Sequence, residues 1–228
     1  MEIPKKSRAV SLIFKIIIIV SAVVGTILSY YAGLNSFMGG NNVFKYFTIQ
    51  SNIAAALISL IGGVILVVKG KAGKAWYVIK FVGTVAITLT GVVFTFVLAP
   101  TLGEHAWVLH NILTHVVVPV VSIADFFVVG RYARLKKRYV FFVVIPPLLY
   151  AVYSGIGYIQ GWEFAPGVNY PYFFLNWGSP AGAFGFTEGL PFMGSAWWII
   201  AIFIFLIIIG LIYLLIVNAL GKKIRKNR

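Results

Sequence analysis

An all-α bundle of six membrane-spanning helices is the fold class predicted by three features of the sequence. The 228-residue chain is 61% hydrophobic and 11% charged, with a mean hydropathy of +0.96, whereas a soluble domain carries about a quarter charged residues. Its apolar residues gather into runs near the ~20 residues needed to cross ~30 Å of hydrocarbon in helical form. Its basic residues, which give a net charge of +14, sit in clusters at every second connection between those runs.

The runs are 9–31, 47–68, 76–98, 107–129, 139–159 and 196–220. Stretches of β-branched residues such as Ile16 to Val20 suggest strands in water. In lipid every backbone polar group needs an internal partner, and runs of this length satisfy that as helices. The short alternating segments of a membrane β-barrel are missing from the sequence. The first run follows basic residues, as a secretory signal does, but it is longer than such a core and lacks an A-x-A site, so it is expected to remain as an anchor.

The basic clusters are Lys5, Lys6 and Arg8; Lys69, Lys71 and Lys74; Arg131 to Arg138; and Lys222 to Arg228. They precede run 1, join runs 2 and 3, join runs 4 and 5, and follow run 6, while the alternate connections carry only Lys45. This is the positive-inside pattern, so the chain is expected in a plasma or inner membrane with both termini cytoplasmic. It also assigns the charge to orientation and anionic lipid and excludes nucleic acid as the expected partner. Lys15, inside run 1, is expected to snorkel to the basic face.

Two connections on the other side stand out. Residues 33–45 hold Asn35, Gly39, Gly40, Asn41 and Asn42, a polar turn. Residues 160–195 have no Lys or Arg, two acids, several Gly and Pro, and the string Tyr170, Pro171, Tyr172, Phe173, Phe174. An aromatic loop of that length is expected to fold over the outer mouth of the bundle as a cap. The turn at 100–106 is short.

Polar residues inside the runs are the functional candidates. In run 4, Asn111, Thr114, His115, Ser122 and Asp125 share one helical face. In run 2, Thr48, Ser51, Asn52, Ala55, Ser59 and Gly62 do the same, as do Thr84, Thr88, Gly91 and Thr95 in run 3. Small faces of this kind serve close helix packing. His115 is set apart because a buried imidazole needs a hydrogen-bond partner. Asp125 lies ~15 Å further along the axis and is expected to pair with the basic loop.

Thr48, in the first turns of run 2, is the candidate nucleophile and His115 the candidate base. Gln50, Ser51, Asn52 and Asn111 are candidate substrate or oxyanion groups, and Thr114 a competing nucleophile. A metal or other cofactor is not expected. There is no cysteine, and His105, His110 and His115 would each be rotated by about 140° from the last along one helix.

Two strings, Phe47, Thr48 with Gln50, Ser51, Asn52, and Leu113 to Pro119, together with the 170–174 string, make the chain resemble the bacterial branch of the androgen-induced gene family of six-span membrane proteins. Animal members are threonine hydrolases of fatty acid esters of hydroxy fatty acids. The resemblance implies Thr48 as the nucleophile and His115 as its histidine. It also implies a fatty acyl ester as the substrate, and such an ester is expected to enter laterally between runs 2 and 4. The alternative is a non-enzymatic protein that binds lipid or a partner protein through the 160–195 loop. A transporter is disfavoured because broken helices and repeats are not evident in the sequence.

Overall fold

The computed structural model describes residues 2–34 and 40–226; Asn35, Gly39 and Arg228 lie outside the described residues. Six helices are long and apolar enough to cross a membrane. They are α1 (Lys5–Gly33), α2 (Phe47–Lys69), α3 (Lys74–Trp107), α4 (Leu109–Gly130), α5 (Lys137–Ile159) and α6 (Ser195–Lys226). Strands are absent among the described residues. The molecule is a multi-pass membrane protein of the all-α class that its hydropathy predicts.

The helices run past the apolar stretches at several ends. The largest difference is in α3, where residues expected to turn at 100–106 continue as a helical turn, Ala99–Leu102, and a 3-10 turn, Gly103–Trp107. Residues Phe94–Leu98 of α3 and Leu113–Val117 of α4 widen into π-helical turns. Each precedes a proline, Pro100 or Pro119. Proline lacks the N–H for the i−4 carbonyl and its ring crowds that oxygen, and an extra residue in the turn relieves both problems.

Helices α1 and α3 each pack against both α2 and α4, which face one another across this ring with little direct contact. The first part of α5 packs on α6 and α3. Small residues permit the close approaches. A methyl group on Gly25 of α1 would stand 2.7 Å from the Thr114 side chain, and one on Gly91 of α3 would stand 2.9 Å from the His115 carbonyl oxygen. The main apolar core lies among α3 to α6 and includes Phe81, Val85, Phe126, Val143, Leu206 and Leu214. Ile16, Val20, Val67, Leu149 and Ile204 point outward and exposed, as lipid-facing side chains do.

All four basic clusters meet at one end of the bundle. Ile3 N donates to Gly70 O at 3.3 Å, Arg131 donates to Ser7 Oγ at 3.2 Å, and Asn218 of α6 bonds the backbone of Leu135. At the other end the α5–α6 connection folds down over the helices. Lys45 Nζ donates to Glu163 O at 2.6 Å, Tyr46 to Phe164 O at 3.0 Å, and Trp177 Nε1 to Ser154 Oγ at 3.1 Å. Phe164, Phe174 and Leu175 of this connection are buried.

Candidate functional site

The polar faces read from the sequence are buried as a group. Thr114, His115, Ser122 and Asp125 of α4 are all buried, as are Ser51, Asn52 and Ser59 of α2 and Thr84 and Thr88 of α3. Two separate sites are built around His115 and Asp125, one in each half of the bundle, while Thr84 and Thr88 bond the backbone of their own helix.

In the half nearer the basic end, the Asp125 carboxylate accepts from Lys15 Nζ at 2.6 Å and Lys80 Nζ at 2.8 Å on one oxygen, and from Ser11 on the other. Two expectations are corrected here. Asp125 does not pair with the 131–138 loop, and Lys15 does not snorkel, being 2% exposed. Lys15 shares a face of α1 with Ser7, Ser11 and Ile18, and that face packs on α4. The lysine stem therefore spans the gap between helices toward a carboxylate, which satisfies its charge without the climb to the interface. Lys80 was overlooked in the sequence, although an ionisable residue inside a spanning run was the signal for it.

In the other half, Tyr46, Thr48, Phe94, Asn111, His115 and Tyr172 border a cavity of about 210 Å³. His105 and His110 also border it. Val108 is extended (φ −77°, ψ 158°) and separates the 3-10 turn carrying His105 from α4. The rotation expected along one continuous helix therefore does not apply to His105. Among the described residues, no group of three His, Asp or Glu is placed to hold a metal ion.

His115 is fixed by its neighbours. Its ring stacks on Phe94, with centroids 3.8 Å apart and planes at 20°. Its Nδ1 lies 3.1 Å from Asn111 O and 3.0 Å from Thr114 Oγ1. A carbonyl only accepts, so in the neutral ring Nδ1 carries the hydrogen. Thr114 donates to His110 O at 2.8 Å, so its oxygen is a second acceptor for the same N–H. Nε2 is then the lone-pair nitrogen, and Thr114 is occupied as a positioning group for the ring.

Thr48 is half-buried in the first turn of α2. Its backbone N–H and its hydroxyl lie 3.4 Å and 3.5 Å from the Tyr172 hydroxyl. Tyr172 comes from the folded-down connection, which brings the 170–174 string into the site. Burial pushes its phenol pKa up, and Tyr46 is shifted in the same direction by the same cause. Thr48 and His115 border one cavity but have no hydrogen bond with each other.

The other candidates divide. Asn52 donates to Thr48 O at 2.8 Å and to Thr114 O at 3.1 Å, tying α2 to α4 across the ring. Both amide hydrogens are thereby taken, which removes Asn52 as an oxyanion donor. Ser51 bonds Thr90 at 2.7 Å and Thr48 O at 3.0 Å and is part of the packing. Gln50 donates to Phe44 O at 3.1 Å, away from the cavity. Asn111 donates to Ala106 O at 3.0 Å and holds the turn before α4.

A second, apolar chamber of about 50 Å³ shares Thr48, Phe94, Leu98 and Tyr172 with the histidine-lined cavity and extends to Pro147 and Ile199. Between α3 and α6 an open groove of about 190 Å³ shares Leu89, Val93, Phe174 and Ile202 with that chamber. Because α2 and α4 stand across the ring with α1 and α3 between them, lateral entry between α2 and α4, expected from the sequence, is not provided. Comparison with protein-family models, curated proteins and solved structures finds no match to this chain.

Proposed function

We propose that the protein is an intramembrane hydrolase of fatty acyl esters, with Thr48 as nucleophile and His115 as general base, and that it belongs to the family its sequence resembles. The observation that carries this is the position of Thr48: its residue borders both the histidine-lined cavity and the apolar chamber. An ester with its carbonyl at Thr48 and the adjoining methylenes in the chamber, its longer chain running on into the α3–α6 groove, has its polar part facing His115. The α3–α6 groove is the route by which such a chain reaches the chamber from lipid.

In this reading His115 Nε2 takes the hydroxyl proton as Thr48 Oγ1 bonds to the carbonyl carbon. The proton then passes to the departing alkoxide as the ester C–O bond breaks, leaving an acyl-threonine. Water, activated by the same nitrogen, releases the fatty acid and restores the hydroxyl. The Tyr172 hydroxyl, kept protonated by burial, is the donor nearest the developing oxyanion. No metal or cofactor takes part.

The membrane is proposed to be the plasma or inner membrane, with the basic end cytoplasmic. The alternative, binding of lipid or a partner protein through the 160–195 loop, rests on Phe184, Phe186, Leu190 and Phe192, which stay exposed, whereas Phe174 and Leu175 of the same loop are buried against the bundle. Detergent-solubilised protein should release fatty acid from a long-chain fluorogenic ester. Thr48→Ala and His115→Ala should each lower the rate at least a hundredfold with unfolding unchanged. A rate unaffected by both changes overturns the reading.

A further inference from the structure

The basic end holds a cleft of about 840 Å³ lined by Arg134, Leu135, Lys136, Lys137, Asn218 and Lys222. Four of these six residues are cations, all four are exposed, and none is acidic. The chain has five acids in all. Asp125 is committed to Lys15 and Lys80. Glu163 and Glu188 lie on the α5–α6 connection at the opposite end, and Glu104 lies in the last turn of α3 at that end as well. Glu2 stands beside Gly70 and Arg8. The cleft thus concentrates positive charge that the chain's Asp and Glu side chains leave uncompensated.

A solvated charge run needs no fixed shape, yet this one has it. The Asn218 side chain makes a paired clamp on Leu135, accepting from Leu135 N at 3.2 Å and donating to Leu135 O at 2.9 Å. Leu135 is 2% exposed. Turn bonds at Ala133 and Tyr139 close the loop on either side. The backbone that carries Arg134, Lys136 and Lys137 is therefore held opposite Lys222, at the level where α6 leaves the apolar layer. Exposed apolar side chains on the same two helices, Phe141 of α5 and Leu215 and Ile216 of α6, provide a surface for acyl chains.

We propose that this cleft is a binding site for a doubly charged, phosphate-bearing group, carried by a membrane lipid headgroup or by a soluble phosphate compound. Basic pockets between helices at a membrane surface recognise lipid phosphates by fixing several cations around one headgroup. The site is independent of the hydrolase reading, since none of its residues borders the histidine-lined cavity.

The test is native mass spectrometry of the full chain in detergent, titrated with diphosphatidylglycerol, with phosphatidylcholine or with inorganic pyrophosphate. Diphosphatidylglycerol or pyrophosphate is expected to saturate at one per chain, and phosphatidylcholine is not. Whichever of the two saturates at the lower concentration names the source. Lys136→Gln, Lys137→Gln and Lys222→Gln together should weaken binding by about fivefold per lysine removed. Lys5→Gln, Lys6→Gln and Lys71→Gln, which remove the same charge from exposed positions outside the cleft, should change it less than about threefold. Asn218→Ala, which keeps every cation and releases the loop, should weaken binding by about tenfold. Equal losses in the two triple variants, or no saturation by either phosphate probe, overturn the proposal.

Discussion

Two polar sites share this bundle, and they differ in what they leave unused. Around Asp125, the carboxylate and the two ammonium groups are 0–3% exposed and bond one another and Ser11. Around His115, two hydrogen bonds and a stacked ring fix the imidazole, yet one ring nitrogen and a cavity remain. Polarity inside a membrane is costly in both places. In the first site the polar groups bond one another, with two ammonium groups sharing one carboxylate and Lys15 and the carboxylate both bonded to Ser11, which is a role in assembly. In the second, spare bonding capacity meets open space, which is the condition for binding a further molecule. Intramembrane polar residues are thus better sorted by what remains free on them than by their rarity.

This contrast breaks most visibly at Asp125. Asp125→Ala strands two buried ammonium groups on different helices and should cost about 3–5 kcal/mol of stability, read as a lower thermal midpoint in detergent. An unchanged midpoint would mean that the lysines are not held inside the bundle.

The next largest effect is expected at Gly91. A methyl group there meets the His115 carbonyl oxygen at 2.9 Å and Pro119 at 3.1 Å, so Gly91→Ala should cost about 1–3 kcal/mol. It should also lower ester turnover, because the displaced segment carries His115. Loss of stability with full turnover would detach the α3–α4 packing from the site.

Asn52→Ala removes the direct tie between α2 and α4 and should cost about 0.6 kcal/mol, the average for an interhelical hydrogen bond in a membrane, and no more than about 1.7 kcal/mol. A double-mutant cycle is not applicable to its backbone partner, so the check is turnover against unfolding: both should fall modestly and together. Thr48→Ala sits at the end of the series, with a stability change within about 0.5 kcal/mol.

Hydropathy and charge periodicity were enough to read the six helices and their common basic end, because lipid admits few alternatives to a continuous helix. The buried face of α4 was equally legible, since Thr114, His115, Ser122 and Asp125 follow helical spacing. What lay beyond the sequence was the rotation of one helix against the next. Lys15 was visible as a charge within a run, but whether its stem runs up to the interface or across to Asp125 depends on the α1–α4 packing. Lys80 reaches the same carboxylate by the equivalent packing of α3. The extended Val108 and the π turns before Pro100 and Pro119 were hidden for a similar reason: a helix projection assumes a regular helix, and these residues break it beside the cavity. Tyr172 was readable as part of an aromatic string, while its place against Thr48 follows from how the connection folds back.

The central claim is that Thr48 is a nucleophile activated by His115, and covalent trapping tests it most directly. Purified protein treated with a long-chain fluorophosphonate should yield, on peptide mapping, one adduct on the Thr48 hydroxyl that is lost in Thr48→Ala and strongly reduced in His115→Ala. An adduct elsewhere, or one on Thr48 that forms equally well without His115, would contradict the account.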